Sequence, residues 1–449
     1  MNSQNNFAEE KENWLGIKYV REKYLCERFK SLRNKFVTEN RKKMESVVFQ
    51  NTNQFIEIVN KQNHLIQELN HIQKLRSSQN KEIKLFFIFL RNLSKEDQKL
   101  FSVLIENDSF ILLHKIVLEE KNCSYELKHE ALWNIAIASN FKLPQDKVKI
   151  LAGAVSSLSN KLSEFQKMDQ IVFLEKMLFA LTNFIIDHPS INEVLKYQIN
   201  LQKFATCLLD ENNSDHISLS LWFMRNLLKN TKTSFQGPLE TNSIQNSILT
   251  ILKNYQHDNS LLFETFWTLT HISEIPVNFE IIKQDLLLMV LQVAINKEEF
   301  VLLPTLSIIA NSLHSLSDES LKNVIDSIDF NKLLQITLSS SNFLIKREAL
   351  FLLSNMAAKT KESAYFIIQK NDLMCFLTDI LKNKEPFLYK EALYIIYNLC
   401  FVEDNYYFAY LNSVIDEIYL FSNNLVEEKV HDQEIIVLLE KLYKLKAEN

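Results

Sequence analysis

The chain has 449 residues, 47% hydrophobic and 23% charged, with a formal net charge of -5. It contains only three glycines, Gly16, Gly153 and Gly237, where average usage near 7% predicts about thirty. Three glycines this far apart cannot form a Rossmann fingerprint, a Walker loop or a nucleophile elbow, which excludes most glycine-dependent enzyme chemistry.

Six prolines leave long stretches free of helix breakers, so the chain is read as predominantly helical. The five cysteines, Cys26, Cys123, Cys207, Cys375 and Cys400, form no CxxC pair. They are read as reduced, mostly buried thiols of an intracellular protein. The polar, acidic start (Met1 to Glu10) does not resemble a signal peptide. The longest strongly apolar stretch, from Leu286 to about Ile295, falls short of the ~18 residues of a membrane span.

In chain order, residues 1–46 form a polar segment with a basic run. Arg28, Lys30, Arg33, Lys35, Arg41, Lys42 and Lys43 face a single acid there, Glu39. Residues 47–78 read as a linker helix, with Phe55, Ile58, Val59, Leu65, Ile66, Leu69 and Ile72 at a 3.6-residue period over about 54–76. From residue 79 to 449 the sequence repeats itself. The repeated core is an apolar helix in which Asn follows a large side chain by four residues. It reads FALTN from Phe179 to Asn183, WFMRN from Trp222 to Asn226, FLLSN from Phe351 to Asn355 and YIIYN from Tyr394 to Asn398. SIIAN from Ser307 to Asn311 lacks the aromatic. WNIAI from Trp133 to Ile137 and WTLTH from Trp267 to His271 lack the asparagine. Successive segments are 40 to 46 residues apart, the spacing of armadillo and HEAT units.

The unit between Asn355 and Asn398 accommodates three helices: Glu362–Gln369, Leu373–Leu381 and, after a break near Pro386, Tyr389–Cys400. Three helices favour armadillo over the two-helix HEAT unit. An earlier unit fits Phe87 to Arg91 and a partial one fits 432–445, for about nine in all. The expected fold is all-α, a right-handed armadillo-repeat superhelical solenoid with an N-terminal basic and helical extension.

Residues i and i+4 share one helix face. If every third helix lines an inner curve, the aromatic and Asn positions form two parallel ladders. Amides can bracket the main chain of an extended peptide, and the rings can receive the stems and heads of Lys and Arg. No HExxH and no Cys/His ligand spacing is present. His257-Asp258 and His431-Asp432 read as loop dipeptides, so no catalytic residue, metal or cofactor is expected.

The stretches Leu221 to Asn230, Lys346 to Ala357 and Lys390 to Leu399, with RNLSKE at Arg91 to Glu96, resemble importin-alpha. That family comprises armadillo adaptors for basic nuclear localisation signals. The resemblance implies a major peptide site at Trp133, Phe179, Asn183, Asp187, Trp222, Asn226 and Glu264. It implies a minor site at Asn311, Glu348, Phe351, Asn355, Glu391, Tyr394 and Asn398. It likens Arg28 to Lys43 to the first half of the family's importin-beta-binding segment. The second basic cluster of that segment has no match, since residues 47–70 contain Lys61 and no other Lys or Arg.

Ile137 replaces a major-site asparagine, Phe or Tyr replaces Trp at three groove positions, and Ser307 stands where the family has a basic residue. The implied partners are basic cargo peptides and importin-beta, with no membrane or specific nucleic acid, in a protein shuttling between cytoplasm and nucleus. The alternative is an armadillo scaffold that has lost transport and holds another protein partner.

Overall fold

A computed structural model describes residues 80–120, 123–159, 167–195, 209, 213–229, 241–274, 282–297, 299–313, 315–382, 386–400, 437–442 and 444. The basic run, the linker helix, and half of the partial unit at 432–445 lie outside the described residues. Every regular element among the described residues is a helix, and none is long and apolar enough to cross a membrane. The chain divides into two compact units, Met1–Lys147 and Val148–Asn449.

In the first unit the helices are α1 (Asn80–Glu96), α2 (Gln98–Ile105), α3 (Asp108–Glu119) and α4 (Tyr125–Ala138). Polar caps start three of them: Asp97, Asn107 and Ser124 each accept a backbone N–H of the first turn. Such caps satisfy donors that a helix start otherwise leaves unpaired. Helix α1 packs on α2 and α4, and α3 packs on α4. Their apolar stripes meet in a core that includes Phe86, Phe87, Leu90, Phe101, Phe110, Leu127 and Leu132.

The second unit takes up the chain within α5 (Gln145–Ser159) and continues with α6 (Lys167–Asp187), α7 (Asn192–Leu195), α8 (Ser214–Lys229) and α9 (Thr241–Asn254). It proceeds through α10 (Asn259–Ser273), α11 (Gln284–Ala294) and α12 (Glu299–Ser312). Two complete three-helix repeats follow. They are α13 (Asp318–Ile325), α14 (Ile328–Ser339) and α15 (Phe343–Lys359), then α16 (Lys361–Gln369), α17 (Asn371–Lys382) and α18 (Pro386–Leu399). Pro386 begins the third helix rather than marking a gap before it. Its fixed φ and missing N–H suit the first helical position.

Helices α6, α8, α10, α12, α15 and α18 pack side by side, each against the next, and shorter helices back them. This is the stacking that the repeat period implies, because no unit can bury its apolar stripe alone. Glycine is dispensable at the junctions because the helices end without left-handed caps. The C-caps Glu106, Ser139, Glu274, Ile295 and Asp326 all have helical φ and ψ. Cys123 and Cys400 are buried and Cys375 is exposed, all as free thiols; burial pushes the first two up to about 11.

Candidate functional site

The side-by-side helices carry the aromatic and Asn positions, and burial shows which way each points. On α15 one stripe of side chains retains exposure through Phe343, Arg347, Glu348, Phe351 and Asn355. The stripe follows the i, i+4 spacing of one helix face. Phe351 is 46% exposed, and Asn355, one turn on, is half-buried with no hydrogen-bond partner among the described residues. Helix α12 presents Phe300, Leu303, Ser307 and Asn311 in the same way, and α18 presents Lys390, Glu391, Tyr394, Tyr397 and Asn398. These three adjacent helices form one open face. Helix α6 also has an open stripe, through Glu175, Phe179, Asn183 and the exposed Asp187. In the first unit α4 presents Trp133 and Ile137.

Helices α8 and α10 differ. Every residue from Ser220 to Leu228 and from Leu261 to Ser273 is buried. Trp222 and Asn226 retain 6% and 8% exposure and Glu264 none. In this structure these three expected peptide contacts are not presented to solvent. The Phe179 and Trp222 rings lie 5.9 Å apart, and Asn226 Nδ2 donates to its own helix at the Trp222 carbonyl, 2.8 Å away.

Other asparagines reach back to the preceding helix of the row. Asn311 Nδ2 donates to Ser273 Oγ at 3.0 Å, and Asn398 Nδ2 donates to the Ser354 carbonyl at 3.1 Å. In the first unit Asn134 bonds the Phe87 carbonyl of α1. Thr268, also one residue after a Trp, bonds the Leu221 carbonyl in the same way. Part of the asparagine register therefore joins repeat to repeat, and Asn355 is the member left open. The early unit is also shifted by one residue. Phe87 is wholly buried and Arg91 nearly so, while Ile88 and Asn92 hold the outward positions.

The carboxylates three residues before an aromatic share a second job. Glu264 lies 2.9 Å from the Arg225 guanidinium, with side chains 0% and 4% exposed. Glu130 takes the same bridge from Arg91 at 2.9 Å, with both side chains under a tenth exposed. In each pair the partners are 39 residues apart, Arg225 on α8 and Glu264 on α10, and Arg91 on α1 and Glu130 on α4. Glu348 accepts from Ser307 Oγ at 2.6 Å, and Glu391 lies 3.6 Å from Arg347. Burial pushes both the Glu348 and Glu391 carboxyls up, against the hydrogen bond or cations beside them. Two rings are also covered by cations of the chain itself. Arg91 sits 4.9 Å from the Trp133 centroid and Lys441 sits 5.8 Å from that of Tyr397.

The residue types of Arg91, Arg225, Glu130 and Ser307 gave no cue to these roles. The usable signal is a recurring 39-residue offset between Arg and Glu at fixed distances from the ladder. Among the described residues no cluster of His, Cys, Asp and Glu has the makings of a metal site. His257 and Asp258 line a shallow depression with Asn254 and Tyr255, and Asp258 is spent capping α10.

No protein-family model and no curated protein matches the sequence. Solved structures do match. An engineered protein is 16% identical at a TM-score of 0.55, over 87% of this chain and 98% of its own. A structure from work on a phosphorylation switch controlling the interaction between cadherin and beta-catenin is 14% identical at a TM-score of 0.56, over 79% of this chain and 68% of its own. A designed armadillo repeat protein in complex with the peptide (KR)4 is 14% identical at a TM-score of 0.44, over 55% of this chain and 99% of its own. At these identities the likeness is one of fold, and the fold of this chain is all-α and armadillo-type.

Proposed function

We propose that the chain is a peptide-binding adaptor that holds an extended segment of a partner along the row of long helices. The observation that carries this reading is the α15 stripe. An exposed ring, Phe351, and an unpartnered amide, Asn355, stand one turn apart on a face continued by Ser307 and Asn311 of α12 and by Tyr394 and Asn398 of α18. An amide with both donor and acceptor open suits a peptide main chain, and a ring suits the stem beside it.

The finer reading is a nuclear import adaptor shuttling between cytoplasm and nucleus. It would bind basic localisation signals and link them to importin-beta through Arg28 to Lys43. The motif resemblance supports it, as does the exposed Asp187 at the end of the open α6 stripe. Because Asp187 is exposed, its pair with a peptide lysine is worth at most about 1 kcal/mol. Asp187→Lys is therefore expected to weaken a short basic peptide about fivefold in fluorescence polarisation. Unchanged binding by a folded Asp187→Lys protein would remove the basic-signal reading.

The second reading, a scaffold for a different partner, draws on the burial of Trp222, Asn226 and Glu264. A pull-down of importin-beta by the full chain separates the two.

A further inference from the structure

The places where a basic peptide would put its cations are largely filled by the chain's own side chains. A Lys or Arg head is held by a carboxylate or lies over a ring. Among the aromatic-minus-three carboxylates, Glu264 already holds Arg225 and Glu130 holds Arg91. On the open face of α12, α15 and α18, Glu391 faces Arg347, Glu348 is bonded by Ser307, and the Tyr397 ring carries Lys441. At the first turn of α12, Glu299 accepts from Ser340 Oγ at 2.8 Å. Three cations of the chain, Lys346, Arg347 and Lys390, border the same face.

The apolar side chains of that face keep part of their surface exposed. Phe343 is 50% exposed and Phe351 46%, and Phe300, Leu303 and Tyr394 retain part of their surface. Large exposed apolar groups grouped on one face mark an interaction surface, and here Phe351 stands one turn from the open amide of Asn355. We infer that the face of α12, α15 and α18 binds an extended peptide through large apolar side chains and its main chain, not through lysines or arginines. This rests on the peptide-binding reading above and sets the ligand class of its second half. A segment of alternating large apolar and small polar residues fits. It places large side chains against exposed rings such as Phe351 and leaves its main-chain groups for Asn355. A polybasic segment does not fit, because its heads would meet Lys346, Arg347 and Lys390 with the nearby carboxylates already engaged.

The full chain is titrated by fluorescence polarisation with two labelled octapeptides, one alternating Phe or Leu with Ser, the other alternating Lys with Arg. The apolar peptide is expected to bind at least tenfold more tightly once Asp187→Lys has weakened the basic one. Phe351→Ala is expected to weaken the apolar peptide about tenfold and to leave the basic peptide unchanged. Circular dichroism and urea titration establish that each variant is folded. Loss of basic-peptide binding in Phe351→Ala overturns this inference while leaving the peptide-binding reading intact. If neither peptide binds wild type, both fall. Concentration-dependent sedimentation that Phe351→Ala abolishes assigns the face to a second copy of the chain and also overturns the inference.

Discussion

His114 lies between two phenyl rings, 3.9 Å from the Phe110 centroid and 4.6 Å from that of Phe87. It is wholly buried, its Nδ1 hydrogen bonds the Phe110 carbonyl at 2.7 Å, and Nε2 meets no partner. Burial lowers its pKa from 6.5 to about 3, against the opposing pull of that carbonyl. The folded chain thus keeps the ring neutral while the unfolded chain protonates it near 6.5. Stability falls as pH drops through 6.5 and continues to fall toward 3, by an amount on the order of 5 kcal/mol at ~1.4 kcal/mol per unit. Urea titrations at pH 7 and pH 4.5 should show about half of this loss, ~2.7 kcal/mol, and in His114→Leu the pH-dependent part should shrink. An equal acid loss in the variant would place the sensitivity elsewhere. The Arg225–Glu264 pair tests a different residue-level cost. Removing one partner by Glu264→Ala takes the carboxylate from a buried guanidinium and should cost about 3–5 kcal/mol. Replacing both by Leu or Met should cost far less, because no charge is then stranded. A double variant as unstable as the single one would show that the pair's own attraction dominates.

At the scale of elements, the junctions were legible in outline. A polar residue before each apolar helix was visible in the sequence, and the structure turns several of these into N-caps. Asn342 accepts from Leu344, Ser317 from Ser320 and Ser327 from Phe330. The last repeat was read to within a few residues, since Glu362–Gln369 and Leu373–Leu381 fall inside α16 and α17. Pro386 was misplaced because a proline that begins a helix and one that breaks a helix look alike in sequence. Thr360 shows how tightly one junction is built. It closes α15 and starts α16, accepting the Ser363 N–H at 3.1 Å, while Ser363 Oγ donates to the Met356 carbonyl of α15 at 2.6 Å. Thr360→Ala removes the acceptor and should cost about 1 kcal/mol, whereas Thr360→Gly should cost only about a few tenths, because glycine is itself a favoured N-cap. Thermal unfolding of both variants checks the cap. No shift in Thr360→Ala would mean that the bonds of Ser363 hold the turn without it.

For the whole molecule, the repeat period carried most of what the sequence could tell. Spacing along one chain fixes which residues share a helix face, so the stripes through Phe179 with Asn183 and Phe351 with Asn355 were legible. Contacts between helices of adjacent repeats depend on packing, which spacing does not encode. The bonds of Asn311 to Ser273 and of Asn398 to Ser354 were therefore missed, and so was the Arg225 seam that takes Glu264 out of reach. The basic run bears on function through its charge. Seven Lys and Arg against one acid over Arg28 to Lys43 make it the most cationic stretch of a chain whose net charge is -5. A partner that recognises such a run does so mainly through long-range attraction, which ~0.15 M salt screens over about 8 Å. Reversing three charges with Arg41→Glu, Lys42→Glu and Lys43→Glu should cut importin-beta binding about tenfold or more at low salt. Raising the salt should weaken wild type toward the variant, because screening removes the same attraction. Lys and Arg are seldom core residues, so thermal unfolding of the triple variant should match wild type. A triple variant that binds importin-beta with wild-type affinity and salt dependence would separate this run from the import partner. The adaptor reading would then lose its link to transport while the peptide surface on α15 stood unaffected.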